Sequence, residues 1–584
     1  MFNEQYYLLE IYAVKFSSNR KECKLMNKKH LILLALGCLM TSGTVMAAPA
    51  GTNSPDLNAG VQMNRMNEYI ERERVAREIH EEREKAVAQA DSESKTPQAE
   101  GAASFQLDKL EIDASRVLSP EEIEAITAKY EGREVQLQAV YDAIEEINKL
   151  YESKGYITCR AYLKPQKIEN GTVKISLFES ETGKAVVTGN EHTKERYILN
   201  RLPLKSGGIV SIDELNKDIL HFNGTNDVQL RIVLKAGEKE GTTDYYIEAR
   251  EPKNTSWTLF SDNTGSKTTG EYRLGTFYNV RSLTGVRDSL MLGGIFSDGT
   301  WAFSGMYSRP VGRSGTKLNL SYSGNSIEQV KNTENSKVNG TASSYGIGLV
   351  QPWIVTENYR SEWSLDYSHQ TSKSDLDLYK SKVNIVNDMM DDVSLGLAMT
   401  SYGRSHVFYQ KHTLTTGRSK SDPEFYTSSS MHYNLYKLSS LYQKLYQHGQ
   451  QLGLRLDGQL SATKNLRSSR QYYIGGMYSV RGYQESFMGA DSGVNLSAEY
   501  SVPLAKDNRL TGFTFFDFGY VFGEGAESNN IDRMLYSTGV GVRAAIGKNI
   551  NGVVSLGVPL KRSFASKVDK ADAVRLNFML TAQF

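Results

Sequence analysis

From Ser256 onward the chain is dominated by segments in which apolar and polar positions alternate. Lys317-Leu318-Asn319-Leu320-Ser321-Tyr322-Ser323 alternates without a break, and so does Glu362-Trp363-Ser364-Leu365-Asp366-Tyr367-Ser368. At the end, Val574, Leu576, Phe578, Leu580, Ala582 and Phe584 alternate with Arg575, Asn577, Met579, Thr581 and Gln583. A period of two puts one set on each face of a strand. Repeated this often, it predicts a transmembrane β-barrel over 253–584, with lipid outside and a wet lumen inside. About 330 residues, at roughly 20 per strand with its connection, give about sixteen antiparallel strands. The polar stretches Gly324–Ser343 and Thr416–Ser428 read as extracellular loops.

Upstream the period changes. Phe105, Leu107, Leu110 and Ile112 read as one strand with an irregularity. Ser119-Pro120-Glu121-Glu122 starts a helix: serine caps, proline suits the first turn and the acids face the dipole. A second helix carries Leu137, Val140, Ile144, Ile147 and Tyr151 on one face and stops at Gly155. Strands Tyr156–Leu163 and Thr172–Leu177 follow, joined by a turn at Asn170-Gly171. The order β-α-α-β-β then recurs: a strand near Ala185–Thr188, helices Lys194–Leu202 and Ile212–Phe222, and strands Val228–Leu234 and Asp244–Ala249. Two α+β modules in tandem are predicted, 104–180 and 181–252.

Residues 61–87 form a polar helical run with (i, i+4) pairs Glu73–Arg77 and Glu81–Lys85 and a thin apolar stripe of Met63, Met66 and Ile70. It spans roughly 40 Å and cannot bury much surface in a core. Two readings fit: a solvated helix beside the modules, or a plug threading the barrel lumen. Residues 88–103 are a flexible linker. Further upstream, Met26-Asn27-Lys28-Lys29-His30, the apolar Leu31–Met40 and the small residues around Ala47-Ala48 make a secretory signal peptide over 26–48. Residues 1–25 then read as a leader upstream of the true start. Leu36-Gly37-Cys38 is similar to a lipoprotein site, but Ala35 stands where a leucine is usual.

Composition narrows the class. Lys plus Arg is 68 against 67 for Asp plus Glu, so no bulk attraction to nucleic acid is expected. No apolar run approaches the about 18 residues of a helical span. The 34 tyrosines suit interfacial girdles, and only 12 prolines suit many paired strands. Cys159 is the lone cysteine after the signal segment, which excludes an internal disulfide framework. There is no G-x-S-x-G elbow or P-loop, and His80-Glu81-Glu82 lacks the second histidine of a zinc site. No enzyme, metal or cofactor is expected.

The segment Tyr473-Ile474-Gly475-Gly476-Met477-Tyr478-Ser479-Val480-Arg481-Gly482-Tyr483 resembles the lumen loop of the Omp85 superfamily. Gly155, Tyr156, Thr158 and Pro165 resemble the first POTRA module of its two-partner secretion (ShlB/FhaC/HecB-like) transporters. Ser537-Thr538-Gly539-Val540-Gly541-Val542-Arg543 also fits that family. An arginine in a confined lumen needs a carboxylate. Asp517, within Phe515-Phe516-Asp517-Phe518-Gly519, points inward by alternation while Phe516 and Phe518 point out. Glu499 lies on the preceding strand. Both resemble the acidic motifs that hold the family's loop arginine, and an arginine fork can engage a carboxylate bidentately.

The resemblance implies a type V, two-partner secretion pore in a Gram-negative outer membrane, with two POTRA modules in the periplasm. Its partner would be a secreted TpsA-type exoprotein, haemolysin- or adhesin-like or a contact-dependent toxin, carried without nucleotide. Outer-membrane lipid, the barrel-assembly machinery and periplasmic chaperones would be partners in biogenesis, with Phe584 as the assembly signal. The rival readings are an outer-membrane-protein assembly factor, which usually carries three or five POTRA modules, and a passive porin.

Overall fold

The computed structural model describes residues 55–85, 104–330, 336–378, 381–424, 427–505, 509–523, 533–564 and 571–584. The segments 1–25 and 26–48, the linker 88–103, and the side chains of Arg77, Glu81 and Lys85 lie outside what is described.

Sixteen antiparallel strands, from Thr255–Asp262 to Arg575–Gln583, form a closed barrel. Successive strands pair in sequence order, and the last returns to the first with Met579 opposite Asp262 and Gln583 opposite Thr258. Phe584 and Trp257 then exchange backbone hydrogen bonds of 3.0 and 2.8 Å. Closure leaves no strand edge unpaired in lipid. Alternation does what the sequence implies: Val574, Leu576 and Leu580 are exposed on the outer wall, whereas Arg575 and Asn577 are buried inside.

Each of the two long polar stretches is part strand and part connection. Lys317–Glu328 and Ser336–Val355 stay paired as far as Glu328 opposite Asn339, and Ser381–Tyr402 pairs with His406–Ser421 as far as Asp388 opposite Ser421. The connections shrink to 329–335 and 422–428. A strand of 22 residues is ~70 Å long, far more than an apolar band of about 25 Å. Beyond the band both faces are wet, so the hydrophobic alternation stops while the hydrogen-bond ladder continues.

Ahead of the barrel lie β1 (Ser104–Leu107), β2 (Lys109–Ile112), α2 (Pro120–Thr127), β3 (Arg133–Gln136), α3 (Leu137–Ser153), β4 (Cys159–Leu163) and β5 (Thr172–Glu179); α1 (Ala59–Lys85) precedes them. The sheet order is β2-β5-β4, with β2 parallel and β4 antiparallel to β5. The second module repeats this with β6 (Glu181–Thr188), α4 (Glu195–Leu199), α5 (Ile212–Thr225), β7 (Gln229–Ala236) and β8 (Thr242–Arg250), in the order β6-β8-β7. Each module has its own core, Val140, Ile147, Tyr151 and Ile175 in the first and Ile198, Phe222, Tyr245 and Ile247 in the second. Ser119 closes a full capping box with Glu122 at the start of α2.

Three local expectations are corrected. The strand through Phe105 and Ile112 is two: β1 pairs with β3 and β2 with β5, the chain switching sheets at Asp108, where the amides of Asp108 and Lys109 both donate to the Gly171 carbonyl. Tyr156 and Thr158 precede β4, because the Tyr156 amide folds back onto the Tyr151 carbonyl at the end of α3. Leu137 is exposed on the first turn of α3 while the rest of its stripe is buried.

Candidate functional site in the barrel lumen

The two rims of the barrel differ. Connections on the rim beside the modules are short, such as 356–358 and 403–405, whereas the far rim carries 263–272 and 560–574. The longest far-rim connection, 462–491, leaves the wall and folds back into the lumen. It contains a 3-10 turn, Ser468–Arg470, and a hairpin of Tyr472–Ile474 with Met488–Ala490.

At the inner end of this loop Arg481 meets both predicted acids. Its Nε and Nη2 donate to Asp517 Oδ2 and Oδ1 at 2.8 and 2.9 Å, and its own backbone amide donates to Oδ2 at 3.0 Å. Nη1 reaches Glu499 Oε2 at 2.7 Å. The Ser497 hydroxyl donates to Asp517 at 2.6 Å, so the carboxylate, completely buried, is saturated with donors. This is the bidentate fork expected from the residue types, extended by a second acid.

Contacts that the sequence did not assign complete the site. Phe515 faces inward with Asp517, and its ring centroid lies 3.6 Å beneath the Arg481 guanidinium carbon, in cation–π range. Glu499 also holds Arg543, 2.7 Å away, and Arg543 stacks on Phe513 at 4.1 Å. Gly539 and Gly541 explain the Gly/Val alternation of that strand: a Cβ there would fall 2.4 and 2.2 Å from the rings of Phe515 and Phe513. The inward glycines make room for the rings, and the outward Val540 and Val542 face lipid. An inward-facing aromatic beside a glycine on the next strand was the signal available.

The other loop residues hold Arg481 in place. Val480 is buried against Gly519, where a Cβ would lie 2.8 Å from Val480 Cγ2. Gly482 has φ +96°, and Gly557 on the wall leaves no room for a side chain, its Cβ position being 2.5 Å from the Gly482 nitrogen. Tyr483 donates to the Lys561 and Tyr536 carbonyls at 2.7 and 3.1 Å. Gly475 and Gly476 form the tip, with the Gly475 amide donating to Ser479 at 2.7 Å. Phe516 is exposed outside and Phe518 half-exposed.

The lumen also holds α1. Its start lies toward the far rim, where Asp56 accepts from Ser266 at 2.7 Å, and it runs toward the modules, where Lys411 contacts Glu71 at 2.8 Å. Of the thin apolar stripe Met63 and Met66 are buried and Ile70 is half-buried: Met63 lies beside Ile327 and Ala342, and Met66, with Tyr69, among Phe260, Phe277 and Ile295. Helix and loop touch directly. Arg65 pairs with Glu485 at 3.0 Å and Arg72 donates to the Tyr478 carbonyl at 2.7 Å.

The second module sits on the near rim. Asp227, just after α5, pairs with Arg287 (Nε to Oδ1 2.8 Å) and Arg281 (3.3 Å). The Lys194 amide donates to the Gly285 carbonyl at 2.9 Å. Burial works against an ionised Asp227, but the Arg287 and Arg281 guanidiniums outweigh it and hold the carboxyl below the ordinary range. Gly155, Tyr156, Thr158 and Pro165 are not part of the lumen site. Gly155, at φ +80°, marks the junction of the modules, its carbonyl accepting from Ile212 at 2.8 Å. Tyr156 packs on the first core, and Pro165 is exposed.

A barrel of sixteen strands, an arginine-anchored lumen loop and β-α-α-β-β modules together define an Omp85-type pore. The chain belongs to the family of haemolysin secretion/activation proteins ShlB/FhaC/HecB, whose model matches residues 241–544. A ShlB-type POTRA domain matches residues 105–180. Among characterised relatives, the heme/hemopexin transporter protein HuxB of Haemophilus influenzae (strain 86-028NP) is 25% identical over 470 residues, covering 77% of this chain and 82% of HuxB. The outer membrane transporter CdiB of Dickeya dadantii is 27% identical over 250 residues, 42% of each chain. Among solved structures, CdiB from Escherichia coli superposes with a TM-score of 0.63 at 16% identity, over 92% of this chain and 100% of that one. CdiB from Acinetobacter baumannii gives 0.60 at 18% identity, over 89% and 98%. The protein is thus an outer-membrane transporter that translocates a secreted partner, with its POTRA region in the periplasm.

Proposed function

We propose that the two modules accept an unfolded haemolysin- or adhesin-like exoprotein and pass it into the lumen, where α1 is a movable plug and Arg481, Asp517 and Glu499 hold the pore loop. Folding outside the cell supplies the drive, and no step uses a nucleotide. β4 and β7 each have one neighbour in their sheets, which leaves an edge that an extended chain can join through its backbone. The observation that carries the reading is the seat of the second module on the rim through Asp227, Arg281 and Arg287, which sets those edges in series with the lumen. Deleting 104–180 tests it: the barrel should still insert, while surface delivery of the exoprotein is lost. Normal secretion by the deletion strain would refute the role of the modules.

A further inference from the structure

The loop meets the wall a second time, away from Arg481. At its base, Arg470 lies against the seventh, eighth and tenth barrel strands. Its Nη1 donates to Gln370 at 2.7 Å, its Nη2 lies 2.8 Å from Asp392 Oδ2, and its Nε donates to the Tyr433 hydroxyl at 3.2 Å. Tyr433 in turn donates to Asp392, and all four side chains are buried. Asp392 is on the eighth strand and Asp517 on the thirteenth, so the loop is tied to two different sides of the lumen.

The same base holds the first turns of α1. Asn64 donates to the Ser469 carbonyl at 2.6 Å. The Gly60 amide donates to Ser372 Oγ at 3.1 Å, two residues along the strand from Gln370. The Gln370 amide nitrogen, with no hydrogen-bond partner among the described residues, lies against Gly60, where a Cβ would come within 2.9 Å of it.

We propose that Arg470 is a second positioning residue of the pore loop, and that its pair with Asp392 also keeps the start of α1 seated near the far rim. Separating two buried charges leaves each without a partner in a poorly hydrated place. The loop base therefore moves only when that cluster hydrates, and α1 loses the Ser469 contact in the same event.

The test uses the full chain in lipid and needs no exoprotein, so its outcome is independent of the proposed cargo. Ala59→Cys with Gly340→Cys reports the seat of the helix, since a Gly340 Cβ would lie 3.2 Å from that of Ala59, close to disulfide spacing. Adding Arg470→Ala should lower the cross-linked fraction at a fixed oxidation time. Without the cysteines, Arg470→Ala should raise the frequency of full channel openings in planar bilayers about tenfold, equivalent to ~1.4 kcal/mol. Arg470→Lys, which keeps a charge opposite Asp392, should recover much of the cross-linking. Heat-modifiable migration on gels verifies that each barrel has folded. Should Arg470→Ala not fold, Asp392→Asn gives the same readouts while preserving shape. Wild-type cross-linking and openings in a folded Arg470→Ala or Asp392→Asn protein would overturn the proposal.

Discussion

Arg481→Ala removes four side-chain hydrogen bonds and the Phe515 stack at once and leaves Asp517 fully buried with two neutral donors, the Ser497 hydroxyl and the amide of residue 481. Stranding one partner of a well-buried ion pair costs on the order of 3–5 kcal/mol. Loss of the Phe515 stack adds ~0.5–2 kcal/mol. The two surviving hydrogen bonds and lumen water offset part of this, which leaves about 3 kcal/mol against the docked loop. That is roughly a hundredfold shift between docked and undocked forms. The barrel ladder does not run through the pair, so insertion should survive. Asp517→Ala should be milder, because Arg481 keeps Glu499 at 2.7 Å. The assay is a double-mutant cycle read as protease accessibility of the loop and as secretion at matched outer-membrane levels. Direct pairing requires the double mutant to lose clearly less than the sum of the single mutants. If the two alanine effects add within about 0.5 kcal/mol, the residues act independently and the anchoring argument fails.

Two further outcomes are expected. Deleting α1 should raise channel conductance in planar bilayers while the barrel still folds, because the helix buries only a few apolar side chains, among them Met63, Met66 and Tyr69; unchanged conductance would mean that the helix does not obstruct the lumen. Docking of the second module should depend on pH through Asp227. Its carboxyl is depressed in the docked state, so the contribution is complete above the ordinary carboxylate range and vanishes as pH falls through the depressed value. Protease cleavage between module and barrel should therefore rise only in acid, and Asp227→Ala should show the acid pattern at neutral pH.

How much was legible depended on whether the deciding interaction was local. The capping box at Ser119 needs residues three apart, and the left-handed turn at Asn170-Gly171 needs two neighbours, so both could be read directly. Asp517 could be assigned to the lumen because alternation fixes the face of a strand. The contrast between Gly539 and Val540 was visible, but its reason was not, since the rings of Phe513 and Phe515 arrive from a neighbouring strand. Polar strand ends such as 336–343 looked like loops because hydrophobicity reports lipid contact, whereas backbone pairing is what keeps them extended.

The sequence by itself determined the barrel with about sixteen strands, the repeated module and the identity of the loop arginine and its acids, since each is written in a short period or motif. Only the tertiary structure decided what shares the lumen. It placed α1 inside the barrel rather than beside the modules, made Glu499 common to Arg481 and Arg543, and brought Arg470 to Asp392 and Arg65 to Glu485. Those partners are separated by tens to hundreds of residues, and closing the sheet brings them together. The thin stripe of α1 finds a core only because the barrel turns Phe260, Phe277 and Ile327 inward to meet it.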